Sequence, residues 1–221
     1  RLWIAPPPTS PAMASARMGH WSKPSCLGIS RCQAKYLIPL QPFANDTHAS
    51  TTDVEAKLLR KGPGKEAKLC FAGHALMDNR HGLISDVTLT PSVGVSEPEA
   101  ALQLIGRQRR KQLRPASVGG DKGYHTQAFV TGLRAKQIRP HVACITHRTT
   151  AGLDGRTVQS RAYRASQIVR KRIEQFFGWG KTVGGLRKTR LRGVRRNAQL
   201  LYLTGAAYNL LRISRLCPAT G

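Results

Sequence analysis

Apolar positions fall into recognisable periods only from about residue 45 onward. Residues 68–77 (KLCFAGHALM) read as a strand, and residues 83–89 (LISDVTL) alternate apolar and polar positions as a second one. The polar cluster Asp78-Asn79-Arg80-His81-Gly82 between them is turn chemistry, so the two runs make a hairpin. Residues 97–113 carry Ala101, Leu102, Leu104 and Ile105 at helical spacing, with Ser96 as N-cap and Glu99 completing a capping box. A short strand at 116–119 runs into Gly120-Asp121-Lys122-Gly123-Tyr124. A helix follows over 126–136, with Phe129, Val130 and Leu133 facing inward, and then a strand over 139–145. Residues 147–159 are polar and contain glycine, which predicts a loop. A long helix over 160–177, a glycine-rich stretch over 178–193 and an amphipathic helix over 195–215 complete the pattern. The order β-β-α-β-α-β-α-α indicates an α/β or α+β domain built on one sheet.

Upstream of that boundary the pattern is different. Residues 1–45 hold seven of the 13 prolines, five basic residues and no Asp or Glu. The apolar run at 35–40 is cut by Pro39. This composition predicts an unstructured arm over 1–44, a folded domain over 45–216 and a short tail over 217–221.

Charge sharpens the picture. There are 36 Lys and Arg against 11 Asp and Glu, a formal net charge of +25. Self-repulsion of that size is tolerable where a polyanion supplies the counter-charge, and nucleic acid is the default polyanion. Residues 155–221 alone hold 15 basic residues and a single acid, Glu174. The hydrophobic fraction of 40% is too high for a wholly disordered basic chain. The charge-free stretch 198–211 has 14 residues, short of the roughly 20 that a membrane span needs. Cys26, Cys32, Cys70, Cys144 and Cys217 form no C-x-x-C pair, so neither zinc nor a disulfide framework is signalled.

Two carboxylates stand out. Asp121 follows a short apolar strand and two glycines, where a rigid strand end could present it to a metal or use it as a base. The plain alternative is a turn residue in G-D-K-G. Glu174 sits in R-K-R-I-E-Q-F-F-G-W-G-K on the long helix. At about 100° per residue, Arg170 and Glu174 lie about 40° apart, and Lys181 about 20° from Arg170 if the helix continues past Gly178 and Gly180. Ala162, Ala165, Val169, Ile173 and Phe176 mark the neighbouring buried face. The plain alternative is an Arg170–Glu174 surface pair. His74 and His81 flank the hairpin turn, as ordinary hairpin histidines rather than as ligands.

Five stretches together carry a family resemblance: T-H-A-S-T-T-D (47–53), R-K-G-P-G-K-E-A-K-L-C-F (60–71), G-H-A-L-M-D-N-R-H-G-L (73–83), G-D-K-G-Y (120–124) and R-I-E-Q-F-F-G-W-G-K-T (172–182). The chain from about 45 to 216 resembles the C-terminal portion of DDE transposases of bacterial insertion sequences. The resemblance implies a mixed α/β sheet of ribonuclease H-like fold with flanking helices. It also implies two Mg2+ (or Mn2+) ions held by three acidic residues, and cutting and joining of double-stranded DNA with water and then a 3′-hydroxyl as nucleophiles. Asp121 matches the second Asp and Glu174 the Glu, both as catalytic metal ligands. Arg170 and Lys181 match the family's basic residues around that Glu, while Gln167 stands where a tyrosine often does. Lys122, Arg187, Lys188, Arg190 and Arg192 are the further DNA contacts expected. A homodimer in the bacterial cytoplasm, associated with the nucleoid and not with a membrane, fits the same resemblance.

The family's first Asp belongs on a first strand upstream of residue 47. Residues 1–44 contain no Asp, and Asp46 and Asp53 lie in the connecting segment. The chain is therefore expected to be an N-terminally truncated or frame-disrupted copy with its first strand missing, its sheet incomplete and weakly cooperative, and its activity impaired. Reading the encoding DNA in the other two frames should reveal an apolar strand ending in Asp. Two other functions compete: a catalytically inactive DNA-binding remnant, and a general RNA-binding protein. The low aromatic content of 6% disfavours the last, because single-strand binders stack bases on aromatic side chains.

Overall fold

The computed structural model describes residues 2–4, 45, 48–60, 66–145 and 153–217. Six strands, β1 (Leu2–Ile4), β2 (Lys57–Arg60), β3 (Ala67–Asp78), β4 (Ile84–Pro91), β5 (Ser117–Gly120) and β6 (Arg139–Val142), form one sheet. The predicted hairpin is β3 and β4, paired from Phe71↔Pro91 to Met77↔Ile84 with a register shift near the turn. β1 runs antiparallel to β3 (Trp3↔Met77) and parallel to β5 (Trp3↔Gly119), and β5 runs parallel to β6. Across the middle the order is thus β4-β3-β1-β5-β6, an antiparallel half joined to a parallel half at β1.

β1 thus fills the place between β3 and β5 that was expected to stand empty. Leu2-Trp3-Ile4 is an apolar run too short to show a period and closely followed by prolines, so composition hides it. Its pairing partners lie on both sides, and a strand inserted between two others leaves few backbone groups unsatisfied. Residues 35–40, the apolar run cut by Pro39, lie outside the described residues.

Helices cover both faces. Leu76, Val118 and Val142 join Ala101, Leu104 and Ile105 of α1 (Glu97–Arg110) and Phe129 and Leu133 of α2 (Gln127–Ala135) in one buried cluster. On the opposite face Ala75, Met77, Ile84 and Val87 pack with Ile173, Phe176 and Phe177 of α5 (Arg172–Thr182) and Leu201 of α6 (Gly193–Leu216). Alternation along β3 sends Leu76 one way and its neighbours Ala75 and Met77 the other. The result is three layers, helix-sheet-helix.

The capping box of α1 is present: Ser96 Oγ accepts from the Glu99 amide and Glu99 returns a bond to the Ser96 amide at 3.0 Å. The helix ends earlier than expected, at Arg110, because Gln112 takes φ +62° and Leu113 N–H turns back to Gln108. Gln137 ends α2 in the same way with φ +59°. Glutamine in a left-handed position carries none of glycine's sequence signal.

Three more expectations change. Part of the polar loop is helical, α3 (Gly155–Gln159), begun by Asp154 accepting from Thr157 N–H. The long helix is two, α4 (Arg161–Val169) and α5, and the second continues through Gly178 and Gly180 to Thr182. α4 buries Tyr163 and Ser166, and Ala165 is exposed, because the break resets the phase of the inward face. α6 is apolar on both sides: Leu201 is buried, and Leu203 and Leu210 are each 69% exposed. Its inward face uses small and polar residues instead, including Thr204, Gly205 and Asn209.

Two asparagines act as short strand mimics. The Asn209 amide accepts from Ile84 N–H at 2.7 Å and donates to Ile84 C=O at 2.8 Å, and Asn45 does the same to Leu58 at 2.7 and 3.0 Å. Asn209→Ala leaves both Ile84 groups under α6 without that partner. We expect a loss of about 1–3 kcal/mol in urea unfolding; an unchanged midpoint would show that water replaces the amide at no cost.

Candidate active site and nucleic-acid interface

β5 is Ser-Val-Gly-Gly, buried throughout, and it delivers Asp121 at its C-terminal end. The chain then folds straight back in a single 3-10 turn, Lys122–Tyr124. A Cβ at Gly120 would stand 3.1 Å from Tyr124 Cβ, so glycine allows this close return. Asp121 Oδ1 caps the turn by accepting from Lys122 N–H at 2.6 Å. The same oxygen pairs with Arg170 Nη1 at 3.1 Å, with both side chains about a quarter to a third exposed. Asp121 is thus a turn residue and a charged partner at once.

Arg170 lies at the joint between α4 and α5. Arg170 and Lys171 keep right-handed helical angles, and Ile173 and Glu174 donate three residues back, to Arg170 and Lys171. The joint is a tightened turn rather than a reversal. Arg170 pairs with Asp121 and not with Glu174, so the expected alternative of a surface i,i+4 pair does not hold. Glu174 is exposed in the first turn of α5, and Lys181 is half-buried in its last. Gln167 donates to the His141 carbonyl of β6 at 2.8 Å, while Tyr163 donates to Val142 C=O at 3.0 Å. The position where a tyrosine was expected therefore clamps α4 to the sheet.

Other candidates find structural employment. Asp53 accepts from Gly193 N–H and Glu55 from Val194 N–H, each at 2.9 Å, so both cap α6 from outside. Gly193 has φ +81° there, and a Cβ would meet Glu55 Oε2 at 2.7 Å. Asp46 lies outside the described residues. His74 is buried in β3 and His81 sits in the turn against Asp78, so the two do not face each other across strands. Lys122, Arg187, Lys188, Arg190 and Arg192 are all exposed, the last four on the connection from α5 to α6.

One acid that sequence reasoning left out enters the site. Glu97 is the first residue of α1, which packs on the 3-10 turn after Asp121. Burial, and then the charge of Asp121, hold its carboxyl above the usual glutamate range. Tyr124 is fully buried, and burial, then Glu97, then Asp121 push its phenol well above the usual range. Among the described residues its hydroxyl has no hydrogen-bond partner. Nothing in the local sequence marks Glu97 except its place in the first turn, where acids are common on dipole grounds alone. Among the described residues no group of three His, Cys, Asp or Glu is arranged as a metal cage.

Residues 46–210 match the family model of the transposase DDE domain. The chain belongs to that family. A search of curated proteins gave no match. For this DDE domain, membership implies a role in DNA transposition, DNA as partner and the use of divalent metal. The match opens within a residue of the point where the periodic pattern begins. Among the described residues, no helix of the DDE domain is long and apolar enough to cross a membrane.

Proposed function

We propose that the chain is an insertion-sequence transposase of ribonuclease H-like fold, with Asp121 and Glu174 as its surviving catalytic carboxylates. The supporting observation is the Asp121–Arg170 ion pair. It ties the end of the parallel strand beside β1 to the joint from which Glu174 rises one turn later. Hard oxygen donors at a strand end suit a hard divalent cation, and Asp121 and Glu174 would hold it. When bound, such ions polarise the phosphodiester and supply an activated oxygen nucleophile. Arg170 balances the charge of Asp121, and with that carboxylate engaged by a cation it would be placed to hold a substrate phosphate. Lys181 and Lys122 extend that phosphate-binding edge. Arg187, Lys188, Arg190 and Arg192 hold the DNA backbone by charge, with counterion release as the driving term.

A second reading is favoured by a specific observation: Leu2–Ile4 fills the first-strand position without contributing a carboxylate. On that reading the chain binds DNA and cuts nothing. A magnesium-dependent nicking assay on double-stranded DNA carrying element ends separates the two. Weak nicking that falls at least about tenfold in Asp121→Asn and in Glu174→Gln supports a residual transposase. Equal DNA retention by all three proteins with no nicking establishes the remnant. Retention that is insensitive to salt would overturn both, since backbone binding loses affinity steeply as salt rises.

A further inference from the structure

We propose that the end of the domain opposite Asp121 is a second DNA-backbone surface, centred on the groove beside α1 that holds Gly106, Arg110 and Lys136. It goes beyond the proposed function, because it needs neither Asp121 nor Glu174 as a metal ligand.

Topology gathers the charge. α1 leads into β5 and α2 into β6, two parallel strands paired from Ser117↔Arg139 to Gly120↔Val142. Both helices therefore finish where those strands start. The four residues of β5, roughly 13 Å of strand, separate that end from Asp121. Arg109 ties the two helix ends together by donating to the Lys136 carbonyl, and Arg139 N–H bonds to Ala116 C=O at 3.1 Å. Arg109, Arg110, Lys111, Arg114, Lys136 and Arg139 all belong to this end. Residues 105–120 and 125–145 contain no Asp or Glu.

Internal partners leave most of that charge unbalanced. Arg107 is committed to the buried Asp86 at 3.2 Å and to Val87 C=O at 2.6 Å. Arg134 donates to Thr157 Oγ1 at 3.1 Å and acts on Asp154 beside it. The other six are in no ion pair among the described residues. The plain alternative is that they complement the helix dipoles. Each helix C-terminus carries roughly half a negative charge, so the two ends together balance about one cation of the six. The surplus calls for an anion from outside. Cations spread over two helix ends, a loop and a strand start call for an extended one.

The shape of the surface points the same way. A groove of about 470 Å3 beside α1 is lined by Thr88, Gln103, Gly106, Arg107, Arg110 and Lys136, with Leu102. Gly106 sits inside α1, where glycine is less stable than alanine. A Cβ there would meet nothing within 4 Å, so packing does not require the glycine. Gly132 on α2 is the contrast, since a Cβ would stand 3.0 Å from Leu102 Cδ1. The bare backbone at Gly106 leaves room for a partner to come close between the cations. Residues 105–116 and 134–139 include no aromatic side chain, so the contact is to phosphates rather than to stacked bases. DNA is the polyanion that the family match supplies. Together with the DNA contacts proposed between α5 and α6, one chain would then hold two duplexes at once.

The test uses the full chain with two short duplexes lacking element ends, one carrying a donor dye and one an acceptor. Wild type should bring them together and give energy transfer. A variant combining Arg110→Gln, Lys111→Gln, Arg114→Gln and Lys136→Gln should abolish the transfer while anisotropy still reports bound DNA. Its slope of log affinity against log salt should fall by up to about 3.6, close to 0.9 for each cation removed. Gly106→Gln separates shape from charge and keeps the test open if the fourfold variant folds poorly. It should melt at or above the wild-type temperature, since glutamine is the better helix former, yet cut energy transfer severalfold. No transfer in wild type, or wild-type slope and transfer in the folded fourfold variant, overturns the proposal. Wild-type transfer in Gly106→Gln overturns the groove as its centre. A larger loss for duplex RNA than for duplex DNA overturns it by reassigning the surface to RNA. Magnesium-dependent nicking is read in parallel: absent nicking with transfer intact removes the catalytic reading and supports this surface on its own.

Discussion

Phe176→Ala should lower the unfolding free energy by about 3–5 kcal/mol, the range for truncating a buried aromatic. Phe176 is fully buried and lies between Phe177 and Tyr208, with ring centroids 5.1 and 5.4 Å away. Those contacts, together with Met77 and Leu201 in the same cluster, bind α5 to the sheet and to α6. Removing the ring leaves a cavity that rigid strand and helix backbones cannot close. The loss is a large fraction of the roughly 5–15 kcal/mol that holds a typical domain. Chemical denaturation measures it directly, and a loss under about 1 kcal/mol would mean that this face is loosely packed. Exposed positions on the same helix give the contrast. Gln175 is exposed, so Gln175→Ala should change stability little.

The second large effect is an acid limb set by His74. This imidazole is 1% exposed and bonded through Nε2 to Thr90 Oγ1 at 3.0 Å, while its Nδ1 has no partner among the described residues. Burial lowers its pKa from 6.5 to about 4. The sign follows from proton counting. Between these values the unfolded chain takes up a proton that the native state refuses, so stability is full above about pH 6.5 and falls as pH drops toward 4. The full span is worth roughly 3 kcal/mol. Carboxyls held below their usual range, such as Asp78, act lower on the pH scale. Glu97, held above its range, works in the opposite direction. Comparing wild type with His74→Gln isolates the histidine: the variant should lose less stability between pH 7 and 4.5. Parallel pH curves for the two proteins would remove the assignment.

Legibility in the sequence tracks the range of the interactions involved. The β3–β4 hairpin, the α1 capping box and the inward face of α2 are set by neighbours a few residues apart, and their signals are local. The break at Arg170 is not, because Arg and Lys are good helix formers and the tighter turn is fixed by a partner on another element. Gly178 and Gly180 mislead in the opposite sense, since packing against the sheet and α6 carries α5 through them. β1 shows no pattern because three residues cannot display one, and its place depends wholly on partners far along the chain. At the proposed site, Asp121 and Glu174 are singled out through the family resemblance, and Arg170 through its spacing. The Arg170–Asp121 pair and the nearness of Glu97 to Asp121 are tertiary facts. The two helix-capping acids, Asp53 and Glu55, belong to the same class: nothing at positions 53–55 announces a helix that begins at 193.

That last contact governs the order in which the domain can be finished during synthesis. Asp53 and Gly193 are 140 residues apart, so the start of α6 meets its caps only after nearly the whole family-matched stretch has left the ribosome. Until then β4 has neither α6 over it nor Asn209 on Ile84, and it emerges as an open edge beside an apolar face. Open strand edges invite pairing with other chains. α6 is therefore the closing step of the domain, and a shortened chain that lacks it should be more prone to aggregation and proteolysis.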